Sequence, residues 1–414
     1  MTDSVFHIMA KPGSFQCNMS CDYCFYLEKE NIYGKRMPMR MDDATLRQYI
    51  KQQVKAQASL PEVGFVWQGG EPTICGLDFF KTIVKYQKRY SNGKPVNNSI
   101  QTNGLLIDDK WARFLAENRF LVGISIDGPE HLHDRYRVSK GRTPTFKKVM
   151  AAIERMKKYQ VDFNTLTVIN DHNCDHGLEV YRFLKSIGSD FHQYIPIVEL
   201  MESDARIDEQ AAQLIFPVKR ENNAMTGFSV PGFSEERGYG KFMTEVFDEW
   251  VKNDVGNIYV RLFETVLAQT LGYPPSICIF QKTCGNALVL EQNGDLYPCD
   301  HFVYEDLKLG NIHDDYVIDM ATSDKQQAFG SSKETTLTDI CRRCEFLNLC
   351  NGGCPKHRVV DIGETHQQNY LCGSYKKIFS HMKPYMEYMA NEIRYQRAPQ
   401  TVKSFTPSAP CSAP

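Results

Sequence analysis

The sequence has no long hydrophobic run and no excess of charge of one sign. Its 414 residues contain no apolar segment of transmembrane length. The N-terminal segment MTDSVFHIMAKP lacks the apolar stretch of a signal peptide. The formal net charge is −2, so we expect neither nucleic acid nor an anionic membrane as the main partner. These absences predict a cytoplasmic protein without a membrane span, long enough for one large domain and a smaller one.

Cysteine, by contrast, is unusually frequent: the chain contains 14. In a small secreted protein, this number would indicate disulfides. In a reducing cytosol, cysteines that are clustered in the sequence more often bind metal.

Short apolar runs alternate with helix-like segments in the first half of the chain. Six such strand–helix units predict parallel strands with helical crossovers, an α/β fold that suits a partial (β/α)6 barrel. Functional residues are then expected at the C-terminal ends of the strands. The predicted strands are Val5–Ala10, Gly64–Trp67, Asn98–Gln101, Leu121–Ile126, Asp162–Ile169 and Phe191–Ile197. The predicted helices are Ala44–Ala56 and Asp109–Asn118, with Asp42 or Asp43 and Asp108 as caps, and Leu77–Tyr90, Phe146–Tyr159 and Leu178–Ile187.

The pattern changes after the sixth unit. Glu202–Glu236 are polar and predict a long loop or lid, and two helical stretches, Lys241–Val251 and Tyr259–Leu271, follow. From Pro274 onward the pieces are short and rich in Cys, Gly and Pro, so we expect a region with little core of its own that folds around metal. We therefore predict a barrel, a helical linker, a small cysteine-rich domain ending in a helix (Tyr375–Tyr395) and a disordered tail, at residues 1–238, 239–273, 274–396 and 397–414.

The loop after the first strand carries three closely spaced cysteines, Cys17-x3-Cys21-x2-Cys24. A four-iron cluster takes one thiolate per iron, so three cysteines leave one iron without a protein ligand. An open position is typical of a catalytic metal site. The open iron could chelate S-adenosylmethionine, and an electron passed into its sulfonium would yield a 5′-deoxyadenosyl radical. The alternative is a zinc site with three cysteines and a distant histidine.

Polar groups at the ends of the next strands could hold that cofactor. The second strand ends in Gly69-Gly70-Glu71-Pro72, where glycines allow a close approach to the backbone and Glu71 could bind the methionyl ammonium. Ser125 could bond the cofactor carboxylate and Asp127 a ribose hydroxyl. Arg137 could pair with the carboxylate, but a surface arginine is the alternative. Gly-Gly and Asp-Gly-Pro are also ordinary turn sequences.

The C-terminal region supplies enough cysteines for two further clusters. Eight fall there, which is four for each of two fully ligated four-iron clusters: Cys278, Cys284, Cys299, Cys341, Cys344, Cys350, Cys354 and Cys372. The alternative is a pair of structural zinc sites, with His301 and His357 as further possible ligands or, more simply, as solvated histidines. The remaining cysteines, Cys75, Cys174 and Cys411, are expected to be ordinary free thiols.

Together these motifs resemble the anaerobic sulfatase-maturating enzymes, which are radical S-adenosylmethionine enzymes with a SPASM domain. The resemblance extends from about Phe6 to Tyr395. It implies three 4Fe-4S clusters and S-adenosylmethionine as cofactors. Cys17, Cys21 and Cys24 would hold the first cluster. The implied ligands of the first auxiliary cluster are Cys278, Cys284, Cys299 and Cys354, and those of the second are Cys341, Cys344, Cys350 and Cys372.

The resemblance also implies a reaction. The family oxidises a Cys or Ser within a short Cys/Ser-x-Pro/Ala-x-Arg motif of a sulfatase polypeptide to Cα-formylglycine, with electrons from a flavodoxin- or ferredoxin-type donor. Tyr26 and Gln68 would bind the substrate and Asp300 would act as the general base. A carboxylate in a buried site could have a raised pKa and accept a proton. Without the resemblance, Asp300 would be an aspartate satisfied by backbone amides.

Two other functions remain as alternatives. Another SPASM enzyme would crosslink or epimerise a ribosomal peptide. Such enzymes often carry an extra N-terminal peptide-recognition domain, and the start of the first motif at Cys17 disfavours one here. A non-catalytic zinc or electron-transfer protein would cleave no S-adenosylmethionine.

Overall fold

The structure, a computed structural model, describes residues 6–33, 38, 40–199, 229–231 and 237–407. Most of the predicted loop Glu202–Glu236 lies outside the described residues, as does Cys411. Among the helices that are described, none combines the length and the apolar character needed to cross a membrane.

Ten strands form one sheet, and two short ones form another. The strands are β1 His7–Lys11, β2 Val63–Trp67, β3 Val96–Thr102, β4 Leu121–Ser125, β5 Phe163–Ile169, β6 Phe191–Pro196, β7 Tyr259–Val260, β8 Ala287–Glu291, β9 Asp295–Tyr297, β10 Gly310–Asn311, β11 Arg358–Val360 and β12 Gln368–Asn369. The large sheet has the order β10-β9-β8-β1-β2-β3-β4-β5-β6-β7, and β1 to β8 pair in parallel. The six predicted strands are confirmed within two residues at each end.

Helices connect the parallel strands, and further helices follow the large sheet in the chain from Val317 onward. They are α1 Glu30–Tyr33, α2 Asp43–Ala56, α3 Leu77–Tyr90, α4 Asp109–Glu117, α5 Glu130–His133, α6 Phe146–Lys158, α7 Gly177–Ser186, α8 Tyr239–Asn253, α9 Arg261–Thr270, α10 Val317–Ala321, α11 Asp324–Thr335, α12 Asp339–Arg342, α13 Leu347–Cys350 and α14 Cys372–Arg394. The predicted caps are confirmed, since Asp42 accepts from the Thr45 amide at 2.7 Å and Asp108 from the Trp111 amide at 2.8 Å.

Alternating apolar residues fix which face of each strand is buried. In β2, Val63, Phe65 and Trp67 are fully buried, and the Trp67 ring lies 5.7 Å from that of Tyr49 in α2. This packing orients the parallel strands so that their carboxyl ends lie at one edge of the sheet. The loops that carry Cys17 and Glu71 therefore leave the sheet at the same edge.

The cysteine-rich region is part of the large sheet. Its first strand, β8, pairs in parallel with β1 over five residues, from His7 opposite Ala287 to Lys11 opposite Glu291. Leu288 and Leu290 of β8 are fully buried. The expectation that this region has little core of its own stays a prediction, and β8 adds its apolar side chains to the core of the barrel.

The start of the tail is also ordered. Pro399–Ser404 form a short 3-10 helix against α14, with Val402 only 1% exposed. The rings of Tyr388 and Phe405 stack with their centroids 4.4 Å apart. The prediction of disorder from residue 397 is wrong for these residues, because their apolar side chains bury against the last helix. Residues 408–414 lie outside the described part of the chain.

Ending the chain at Arg397 should therefore lower the thermal unfolding midpoint. Fully burying a valine contributes about 1.5–3 kcal/mol, and this truncation removes the buried Val402 together with the stacking of Phe405 on Tyr388. The matched control is a chain that ends at Pro407, which keeps these contacts. Circular dichroism of both proteins under identical anaerobic conditions would measure the difference, and equal midpoints would contradict a packed tail.

Candidate active site

The three N-terminal cysteines lie together in the loop after β1. The Cys24 amide donates to the Cys21 carbonyl at 3.1 Å, and the Met19 amide donates to Cys17 Sγ at 3.3 Å. Burial raises the pKa of both Cys17 and Cys21 to about 12, and the charge of Cys24 adds to both shifts. Three mutually close, buried thiols fit a cationic iron centre, which would supply the positive charge that thiolates need.

The Gly-Gly pair at the end of β2 packs against this cysteine loop. The Gly70 amide donates to the Ser14 carbonyl at 2.7 Å, and the Glu71 amide donates to the Gln16 carbonyl at 2.8 Å. A Cβ on Gly70 would lie 2.3 Å from the Gln16 carbonyl oxygen, which is closer than any side chain tolerates. The segment before Cys17 therefore packs closely against Gly70, at a position where only glycine fits.

Glu71 is buried and fully bonded to protein groups. Its carboxylate accepts from the Thr73 amide and hydroxyl at 3.0 and 2.6 Å, the Thr102 hydroxyl at 2.8 Å and the Asn103 amide at 2.7 Å. Burial raises the pKa of Glu71, and these hydrogen bonds oppose that shift. Four bonds match the capacity of a carboxylate. Glu71 therefore ties the end of β2 to the end of β3, and its contact with an ammonium stays a prediction.

Arg137 is a buried residue that pairs with Asp127. Its Nε lies 2.9 Å from Asp127 Oδ2, and the two side chains are 9% and 1% exposed. The surface alternative for Arg137 is therefore wrong. Asp127 also accepts from the Tyr23 hydroxyl and from the Val168 amide. Ser125 lies nearby, at the carboxyl end of β4.

This ion pair borders the cysteine loop. Burial raises the pKa of Cys21 and of Cys24, and the charge of Arg137 opposes both shifts. The arginine thus favours the thiolate forms that a metal requires. Contacts of Ser125, Asp127 and Arg137 with S-adenosylmethionine remain predictions.

Lys11 brings the three predicted substrate-site residues together. Its side chain is fully buried at the end of β1. Nζ donates to Gln68 Oε1, lies 4.0 Å from Asp300 Oδ2 and sits 4.2 Å from the centroid of the Tyr26 ring. Tyr26, Gln68 and Asp300, which are far apart in the sequence, therefore surround one buried cation.

Glu291 completes this cluster and, like Lys11, was not predicted. It lies opposite Lys11 in the β1–β8 pair, and Oε1 accepts from the Tyr26 hydroxyl. Burial raises the pKa of Glu291, while Tyr26 and Lys11 oppose the shift. The available sequence signal was a charged residue at the end of each of two apolar runs, HIMAK and ALVLE.

Asp300 has a lower pKa than expected. Burial raises the pKa, but the charges of His301, Lys11 and Lys356 and a hydrogen bond from Cys299 bring it below the usual value. The expectation of a raised pKa is therefore wrong. The residues next to Asp300 in the sequence do not show which cations from other segments surround its carboxylate. An ionised Asp300 is still able to accept a proton.

The eight C-terminal cysteines fall into two groups in space. In the first, burial raises the pKa of Cys354, and the charges of the neighbouring Cys284 and Cys278 raise it further. Burial also raises the pKa of Cys299, with a further contribution from the charges of Cys354 and Cys278. In the second, all four members line one cavity: Cys341, Cys344, Cys350 and Cys372. The structure thus produces the crossed grouping that the resemblance implied, while metal ligation itself stays a prediction.

The other candidate ligands differ in burial. His357 is 8% exposed, and His301 is partly buried. Burial lowers the pKa of His357 well below the usual value and that of His301 to about 4. The two rings lie 6.5 Å apart. The expectation of a solvated histidine is therefore wrong for His357. Cys75 and Cys174 are buried among apolar side chains, as expected for free thiols.

Comparison with known proteins gives consistent matches. Residues 12–184 match the profile of the Radical SAM superfamily, and residues 278–345 match that of an iron-sulfur cluster-binding domain, SPASM. The chain is 40% identical to a serine-type anaerobic sulfatase-maturating enzyme of Bacteroides thetaiotaomicron, over 96% of this chain and 94% of that protein. It is 32% identical to a cysteine-type anaerobic sulfatase-maturating enzyme of Clostridium perfringens, over 94% and 99% of the two chains.

A solved structure has the same architecture. The structure described as native anSMEcpe with bound AdoMet and Cp18Cys peptide superposes with a TM-score of 0.79 at 32% identity. The match covers 93% of this chain and 99% of that one. The barrel, the cysteine-rich region and the last helix are therefore shared over almost the full length of both chains.

Replacing Gly70 with alanine should impair loading of the first iron site. The added Cβ displaces the segment before Cys17, so we expect the iron bound per chain to fall by about four, the content of one four-iron cluster. Gly64→Ala, in strand β2, is the matched control, since no atom lies within 4 Å of the position that its Cβ would take. Iron analysis after anaerobic reconstitution makes the comparison, and equal iron in both variants would contradict it.

Proposed function

The chain belongs to the anaerobic sulfatase-maturating enzymes of the radical S-adenosylmethionine superfamily, and we propose that it oxidises a Cys or Ser of a sulfatase polypeptide to Cα-formylglycine. The observation that carries this proposal is the cluster of Tyr26, Gln68 and Asp300 around the buried side chain of Lys11. It lies at the end of the same strand from which the three-cysteine loop emerges.

Three cofactor sites support the reaction. We propose that Cys17, Cys21 and Cys24 hold one 4Fe-4S cluster together with S-adenosylmethionine, and that the two C-terminal groups hold one further 4Fe-4S cluster each. The buried thiols and their grouping fit these cofactors. When bound, the first cluster and S-adenosylmethionine supply a 5′-deoxyadenosyl radical, which abstracts a hydrogen from Cβ of the target residue.

The chain itself supplies the proton acceptor and the orientation of the substrate. Asp300 accepts the thiol or hydroxyl proton of the target, and Lys11 favours the ionised carboxylate that this step needs. Gln68 and Tyr26 are held by Lys11 and Glu291, so their polar groups are fixed before a substrate binds. Loss of that proton and of one electron, which an auxiliary cluster would accept, would turn a serine target directly into the aldehyde. A cysteine target would give a thioaldehyde, which water hydrolyses to the aldehyde with release of hydrogen sulfide.

The partners follow from this chemistry. The substrate is an unfolded or nascent sulfatase polypeptide, and a flavodoxin- or ferredoxin-type protein supplies electrons. We place the enzyme in the cytoplasm, where thiols stay reduced.

For the domain borders we propose a radical S-adenosylmethionine barrel at 1–238, a helical linker at 239–273 and the SPASM domain at 274–396. The relatives include both serine-type and cysteine-type enzymes, so the target residue is decided by assay.

Reconstituted enzyme with S-adenosylmethionine and a reductant should convert sulfatase-type peptides to formylglycine with matching 5′-deoxyadenosine. Paired peptides carrying Cys or Ser before x-Pro-x-Arg, analysed by mass spectrometry, would show which target is accepted. Cys17→Ala should abolish both products, while Cys75→Ala, which changes a free thiol, should keep them. Deoxyadenosine without peptide change would refute the sulfatase substrate.

Asp300→Asn should separate deoxyadenosine formation from aldehyde formation. Loss of a general base costs about 100-fold or more, so the aldehyde yield should fall while some deoxyadenosine still forms. Asp306→Asn, at an exposed carboxylate six residues later, is the matched control. Unchanged aldehyde yield from Asp300→Asn, with clusters intact, would remove Asp300 as the proton acceptor.

A further inference from the structure

Two cations are buried in the cysteine-rich region without a carboxylate partner. Lys333 in α11 is fully buried and Arg358 at the start of β11 is 2% exposed. Within the described part of the chain, every hydrogen bond that these two side chains donate goes to a neutral oxygen. A buried charge that lacks a counter-charge is strongly unfavourable. The protein therefore needs a negative group close to both side chains.

The hydrogen bonds of both side chains fit their charged forms. Lys333 Nζ donates to the carbonyl oxygens of Cys278 and Ile279, each at 2.9 Å, and to that of Gln281. Three acceptors use the three protons of an ammonium, whereas a neutral amine has only two. The guanidinium of Arg358 remains protonated in proteins under all ordinary conditions.

Arg358 lies where the two cysteine groups meet. Nη2 donates to the Asn351 carbonyl and Nε to the Gly352 carbonyl, both at 3.3 Å. These two residues lie between Cys350, of the second group, and Cys354, of the first. Nη1 donates to the Lys333 carbonyl at 2.8 Å, so the two cations are linked through one backbone group.

The thiols around each cation differ. Burial lowers the pKa of Arg358, and four thiols oppose that shift, two from each group: Cys341, Cys354, Cys284 and Cys350. Burial also lowers the pKa of Lys333, and three thiols of the first group oppose that shift: Cys284, Cys354 and Cys278. From the second group, Cys350 also lies within reach of the Lys333 charge. Arg358 therefore faces both groups, while Lys333, which donates to the Cys278 carbonyl, faces mainly the first.

Resting on the proposed function, in which each group holds a four-iron cluster, we propose that Arg358 is a shared counter-charge that raises the reduction potentials of both auxiliary clusters. Lys333 raises the potential of the first auxiliary cluster more than that of the second. A cluster bound by four thiolates is an anion, and reduction adds one more negative charge. A cation held in a low-dielectric interior stabilises the reduced form more than the oxidised form.

This arrangement serves the last step of the reaction. The substrate radical must lose one electron, while Asp300 takes its proton. The first auxiliary cluster, whose ligand Cys299 directly precedes Asp300, is placed to accept that electron. The two cations make this acceptor easier to reduce, and Arg358 also screens it from the negative charge of the second cluster. Both side chains are tuning residues that act through the clusters.

Redox titration of the cluster-loaded full chain, followed by electron paramagnetic resonance, tests the proposal. The background carries Cys17→Ala, Cys21→Ala and Cys24→Ala, so that only auxiliary signals are observed. Arg358→Gln should lower both potentials, by about tenfold in the reduction equilibrium or about 59 mV for one electron. Lys333→Gln should lower one potential by about that amount and the other by clearly less. Arg358→Lys, which keeps the charge, should restore most of the shift.

Arg342→Gln is the matched control. Arg342 adjoins Cys341 but is exposed, so solvent and salt screen its charge and both potentials should stay at the parent values. Unchanged potentials in an Arg358→Gln protein that retains its iron would overturn the proposal, as would an equal shift in the control. If the Arg358→Gln protein loses auxiliary iron, the redox titration of Lys333→Gln is the test. Auxiliary potentials that are both unchanged in Lys333→Gln would then overturn the proposal. A parent protein without auxiliary clusters would instead refute the proposed function, and this inference with it.

Discussion

The strand β1 has β2 on one side and β8 on the other, and most of the site depends on this placement. Pairing with β2 brings the Gly-Gly turn against the cysteine loop. Pairing with β8 places Glu291 opposite Lys11 and brings Cys299 and Asp300, a few residues later, to the same edge. A slip of one residue in the β1–β8 register would move Lys11 to the other face of the sheet. The proposed catalytic groups therefore depend on backbone hydrogen bonds between strands that lie 280 residues apart in the chain.

Within that frame, one buried cation holds the substrate site together. An isolated ammonium would be costly at this depth, and burial does lower the pKa of Lys11. The charges of Asp300 and Glu291 oppose that shift, and the Tyr26 ring and the Gln68 amide oxygen complete its surroundings. The same cation reduces the repulsion between the two carboxylates. A polar site of this kind is ordered before substrate arrives, because each group satisfies another.

The sequence predicted local structure well and tertiary surroundings less well. Periodicity located the six barrel strands, and Asp42 and Asp108 marked helix starts, because these signals depend on neighbours within a few residues. The pairing of β8 with β1 was missed because no local pattern encodes register between distant strands. The burial of Arg137 and the lowered pKa of Asp300 were missed for a related reason, since both depend on charges contributed by other segments. Lys11 was visible only as a charged residue ending an apolar strand.

The continuity of the large sheet also bears on how such proteins can recombine. A border drawn at residue 274 cuts the chain between two elements, but the sheet has no edge there, because β8 fills the position beside β1. An exchange of the cysteine-rich region between relatives would replace Glu291 and Asp300, while Lys11, Tyr26 and Gln68 would come from the other relative. The unit that must be inherited together is therefore the cysteine-rich region and the first strand of the barrel, although 280 residues separate their paired strands in the chain.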